Sequence, residues 1–206
     1  MDNRSARPSL SEAVALGLVA TGAVSIGVAS VFGAVGAGIE IFGSPVPVSL
    51  PVDGEQMASL SDADGIAAAE YTQSVVSFES LDAGTRWLLL AEAALPALAT
   101  VIVCASLWWL GLSLIRQRAF RRSMVPMLAT AALALIVTGM TGPLFGAIAR
   151  AQVVEQLAAS GADTEGFWMF LYQLNPASIG WGIALALVAT AFEVGQRLQR
   201  ETEGLV

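Results

Sequence analysis

Histidine and lysine are absent from this sequence, and cysteine occurs once, at Cys104. Those absences exclude Cys/His zinc sites, Ser-His-Asp and Cys-His nucleophilic chemistry, and any disulfide within the chain. Charge is also scarce, at 13% of residues, where a soluble domain carries roughly a quarter. All ten basic residues are Arg, and 17 acids bring the net charge to −7. No basic stripe is available for nucleic acid, so no direct nucleic-acid partner is expected. A Gly-rich phosphate loop is missing, no two carboxylates share a face within one apolar run, and a Ser nucleophile would find no Lys or His as base. The chain reads as non-enzymatic, with no cofactor and no metal. Asp62-Ala63-Asp64-Gly65 looks like part of a calcium loop. The further ligands that such a loop needs are out of register, so the stretch reads as a solvated turn.

What the sequence has in abundance is apolar residue, 55% of the total, with a mean hydropathy of +0.68. A bilayer core of about 30 Å calls for about 20 helical residues, and four stretches meet that length: about 14–42, 87–115, 124–149 and 176–198. Arg4 and Arg7 precede the first, but its apolar stretch is about twice a signal peptide's core, so it reads as a true span. The expected fold is an all-α membrane protein, one domain over 1–206, built as a four-helix transmembrane bundle. Arg4, Arg7, Arg116, Arg118, Arg121, Arg122, Arg197 and Arg200 fall on one side of these spans, and only Arg86 and Arg150 on the other. By the positive-inside rule both termini and the turn 116–123 are cytoplasmic, in a plasma (inner) membrane. Trp87, Trp168 and Trp181 fall near the outer boundary and Trp108 and Trp109 near the inner one, as an aromatic belt requires.

The loops 43–86 and 150–175 then lie outside. Val46, Val48, Leu50 and Val52 alternate with Pro and Ser, a strand pattern that Pro45, Pro47 and Pro51 restrict to an edge or a partly unpaired segment. Glu70 to Ser80 is a second strand candidate, so a small β-hairpin-like external cap is expected between spans one and two. The second loop continues span three as a helix, breaks at Gly161, and leaves Phe167 to Tyr172 as an interfacial segment. Asn175 and Pro176 form an N-cap and first-turn pair for span four.

Three groups of residues are candidates for function. Glu40, Glu92 and Arg150 are ionisable groups at the outer ends of spans. Spans two and three run antiparallel, so Glu92 and Arg150 share a leaflet and can pair, with Pro96 one turn deeper than Glu92. Gly17, Thr21, Ser25, Ala29, Gly33 and Ala37 form a spacing-four ladder of small residues, a helix-packing face for this bundle or for a homo-oligomer or foreign subunit. Glu193, Arg197 and Glu201 share a stripe, with Glu193 before Arg197 in the favoured order. Arg116, Arg118, Arg121 and Arg122, with Glu201, Glu203 and the tail to Val206, form the candidate cytoplasmic contact.

The tail residues Phe192, Gly195, Leu198, Glu201, Glu203, Gly204, Leu205 and Val206, with "TRWLLL" at Thr85 to Leu90, resemble a bacterial membrane family of four spans known as domain of unknown function 2975. The resemblance covers nearly the whole chain, including the Val/Pro-rich start of the first loop and the Arg-rich turn. That turn departs from the family's Gly-x-Pro-Phe pattern: here it reads Gln117-Arg118-Ala119-Phe120. The resemblance implies no established activity, and a signalling role only through association with small helix-turn-helix regulators. The expected function is a membrane sensor or regulator that signals to a cytosolic partner. The alternatives are an accessory subunit of a larger membrane complex and a small oligomeric transporter. The absence of charge at mid-span weakens the transporter reading.

Overall fold

The computed structural model describes residues 10–56, 70–115 and 124–203. Four long helices dominate: α1 (Leu10–Phe42), α2 (Ala83–Ile115), α3 (Met124–Ala159) and α4 (Pro176–Glu203). Between α1 and α2 the strands β1 (Val46–Gln56) and β2 (Glu70–Phe78) pair antiparallel. All four helices are long and apolar enough to cross a membrane, which marks a multi-pass membrane protein. Their surfaces agree, since Leu18, Phe32, Ile39, Trp181 and Leu187 are all about 70% exposed. Water would not tolerate such continuous apolar cover.

Hydroxyls on these helices are satisfied locally. Thr21, Ser25, Ser30, Thr100, Thr130 and Thr190 each donate to the carbonyl four residues back, so these donors do not face lipid unpaired. Pro96 and Pro143 lie inside α2 and α3. Each removes one helical hydrogen bond and favours a bend.

The chain divides into two compact units: Met1–Gly33, Pro96–Met140 and Asn175–Val206 form one, Ala34–Leu95 and Thr141–Leu174 the other. In the first, backbones approach closely at glycine. A Cβ on Gly182 would lie 2.6 Å from Ile136 Cγ1 and 2.9 Å from the Ala132 carbonyl, and one on Gly139 would lie 2.9 Å from Ser178 Cβ. On α1, Ala23 is buried and Gly27 packs on Cys104. The ladder seen in the sequence is not the packed face of this helix. Thr21, Ser25, Ala29 and Gly33 are exposed, Gly17 and Ala37 half-buried, and nothing lies within 4 Å of a Cβ on Gly17 or Gly33. Ser25 and Gly27 are two positions apart, about 200° around a helix of 3.6 residues per turn. Small residues thus occupy opposite faces of α1, and spacing alone does not distinguish the face used within the chain.

The second unit holds the hairpin. Val46 pairs with Phe78, Val48 with Val76 and Leu50 with Ser74. The alternation puts Val46, Val48 and Leu50 on one face, where they bury against Val153 and Val154 of α3 and against Leu81. Fully burying such side chains contributes about 1.5–3 kcal/mol each. Beyond Pro51 the register shifts and Gly54 takes φ +42°. There β1 is not an edge: Asp53 N–H donates to the Gly166 carbonyl and Trp168 N–H to the Pro51 carbonyl, at 2.7 and 3.1 Å, with Val52 bridged to Phe167. Proline lacks a donor but keeps its acceptor, so Pro51 can serve this added pairing.

Several boundaries differ from the spans expected from hydropathy. α2 begins at Ala83 rather than Trp87 because Asp82 caps it, its Oδ2 accepting from Gly84 N–H at 2.8 Å. The helix of span three continues to Ala159, and Gly161 at φ +82° closes it, with Ala162 N–H on the Leu157 carbonyl and Gly161 N–H on that of Ala158, the Schellman arrangement. At the start of α4, Asn175 Oδ1 accepts from Ala177 N–H at 3.1 Å.

Candidate functional site

The second unit gathers the polar chemistry of the chain around Arg150. Asp82 starts α2 and Gly161 ends α3, and contacts along the two helices place Thr85 beside Gln152 and Glu92 beside Arg150, so they run antiparallel. Arg150 Nη2 lies 2.6 Å from Glu92 Oε1, with the side chains 27% and 28% exposed. Its Nε donates to the Ser49 carbonyl of β1 at 3.2 Å. One guanidinium therefore joins α2, α3 and the hairpin. Arginine suits the position because its fork of donors serves two acceptors at once and stays charged.

Glycine makes room for this clasp. A Cβ on Gly146 would overlap the carboxyl carbon and both oxygens of Glu92, so the carboxylate reaches Arg150 across the bare backbone of α3.

A second arginine works the same way. Arg86 donates to the carbonyls of Ile41, Gly43 and Leu81. This caps the C-terminal end of α1, where unpaired carbonyls favour a cation. Phe42 stacks edge-on against Trp87 with ring centroids 5.2 Å apart. Thr85, 3% exposed, donates to Gln152 Oε1 at 2.9 Å, and Gln156 reaches the Ser80 carbonyl at 3.4 Å.

Of the outer polar group expected from the sequence, Glu92 and Arg150 come together and Glu40 does not. Glu40 is exposed near the end of α1, and among the described residues no ion pair includes it. Sequence reasoning missed Ser49, Gly146 and Arg86. Ser49 takes part only through its backbone and leaves no signal in its side chain. Gly146 gives a faint one, as a glycine one turn before Arg150. Arg86 was visible as one of only two basic residues on the side that the sequence reading takes as external.

Of the candidate cytoplasmic contact, Arg116, Arg118, Arg121, Arg122 and Val206 lie outside the described residues, as do Arg4, Arg7 and the turn at Asp62 to Gly65. Arg197 pairs with Glu201 at 3.1 Å, both well exposed, rather than with Glu193. An exposed pair of this kind contributes about 0.3–0.5 kcal/mol.

Among the described residues no cluster of His, Cys, Asp and Glu could hold a metal ion. No protein-family model, curated protein or solved structure matches the chain.

Proposed function

We propose that this chain is a non-enzymatic sensor or regulator of a bacterial inner membrane, with the hairpin outside, both termini in the cytoplasm, and a cytosolic protein as partner. The observation that carries the reading is the Arg150 clasp, in which one guanidinium pairs with Glu92 and donates to the Ser49 carbonyl, tying the hairpin to two membrane-spanning helices. An event at the hairpin that displaces Ser49 or Arg150 acts directly on α2 and α3. Pro96 lies one turn beyond Glu92, where a helix bends most readily. The Arg-rich turn and the tail supply the inward contact, and the resemblance to domain of unknown function 2975 supports the same assignment.

Co-purification of the full chain from its native membrane in mild detergent tests this reading. A soluble partner is expected in stoichiometric amount, with recovery changed several-fold by Glu92→Gln or by deletion of the hairpin. Unchanged recovery in both variants overturns the outward-facing sensor.

The open small-residue face of α1 favours a second reading, an accessory or self-associating subunit. Thr21, Ser25, Ala29 and Gly33 permit close approach of another helix. An integral membrane partner recovered independently of Glu92 and the hairpin would favour that subunit.

A further inference from the structure

A cleft of about 790 Å³ opens between the first turns of α2 and the last turns of α3, within the range of small-ligand sites. Its lining changes character along its length. Asp82, Glu155 and Gln156 stand at one end; Leu88, Ala91 and Phe145 form the other. Gln156 reaches the carbonyl of Ser80, which sets the level of residues 155–159 opposite Asp82. From Asp82 to Ala91 is about 13.5 Å along α2, at 1.5 Å per residue. The polar end coincides with the start of the span and the apolar end lies within it.

The polar end is acidic, and among the described residues no basic side chain lines it. Asp82 spends one oxygen on the helix cap, and Glu155 is exposed. The two basic side chains of this unit are committed elsewhere, Arg86 to carbonyls of Leu81, Ile41 and Gly43, and Arg150 to Glu92 and Ser49. Neither lines the cleft. Trp87 does, and its ring offers a further surface for a cation.

We infer that this cleft binds a cationic amphiphile, a molecule with an amine or quaternary ammonium head and an alkyl tail. The head sits between Asp82 and Glu155, and the tail lies along Leu88, Ala91 and Phe145. An anionic head would meet two carboxylates and, among the described residues that line the cleft, no base. A purely apolar ligand would leave the acidic end without a partner. The inference does not rest on the signalling reading, since binding can be measured without any output.

Photolabelling of the full-length protein in uncharged detergent tests it. The probes share one diazirine-bearing alkyl tail and differ in the head: trimethylammonium, sulfate, or zwitterionic phosphocholine. The ammonium probe is expected to label residues within 82–91 and 145–159 in preference to both others. Asp82→Asn with Glu155→Gln is expected to lower that labelling roughly five- to tenfold, the scale of two partly exposed charge contacts. Asn caps a helix as well as Asp does, so the fold survives the change. On the unmodified protein, raising the salt concentration tenfold from low ionic strength should weaken labelling by the ammonium probe alone, through screening. Equal labelling by all three heads would mean a lipid-filled crevice, and labels outside the cleft a different site. Either result, or indifference to both salt and substitution, overturns the proposal.

Discussion

Gly146 is the residue on which the clasp most depends, because Glu92 occupies the space its side chain would fill. Alanine there displaces the carboxylate from Arg150 while keeping both charges. A hydrogen bond to a charged group contributes about 1.5–3 kcal/mol, and alanine returns about 0.8–1 kcal/mol as the better helix former. Gly146→Ala is therefore expected to lower stability by about 1 kcal/mol, read as a thermal shift in detergent. With Glu92→Ala already present, the same change should become neutral or stabilising. A loss of equal size in both backgrounds would show that Gly146 serves some other contact.

Among the elements, the hairpin depends most on a few buried side chains. Leu50 is fully buried while Val75 on the paired strand is 65% exposed. Leu50→Ala should cost about 2–5 kcal/mol, the range for emptying a buried leucine site, and Val75→Ala should cost little. The loss should be local: amide exchange in β1 and β2 accelerates strongly while the helices keep their protection. Uniform acceleration would mean that the hairpin and helices unfold as one. The elements were legible in the sequence to unequal degrees. Hydropathy marked all four helices because lipid sets a minimum apolar length. It placed one end of each helix, at Phe42, Ile115, Met124 and Pro176, and missed the other, because caps such as Asp82 lie outside the apolar runs. The alternation of Val46, Val48 and Leu50 revealed β1. Its contact with Gly166 and Trp168 runs through backbone groups that every residue type shares. On α1 two faces carried the same small-residue pattern, and composition could not choose between them.

For the whole molecule, the proposed orientation makes a direct prediction. With Cys104 replaced by alanine, a cysteine at Ser49 or Val75 should react with a membrane-impermeant maleimide added to intact cells, and one at Leu198 should not. The reverse pattern would invert the topology and place the hairpin and the cleft inside. The Glu92–Arg150 pair was visible from the antiparallel order of the spans. The molecule's polar centre as a whole was not, because its other acceptors are carbonyl groups.

Those carbonyls bear on how such a protein can change over generations. Arg150 holds the hairpin at the backbone oxygen of Ser49, Gln156 at that of Ser80, and Trp168 N–H at that of Pro51. Ser49 and Ser80 are themselves exposed, and only their backbone oxygens take part in these bonds. Substitution at these two positions leaves the attachment intact, so the hairpin's outer face can be rewritten without loosening its mount. A membrane protein docked in this way can meet new molecules at its surface while the machinery beneath stays the same.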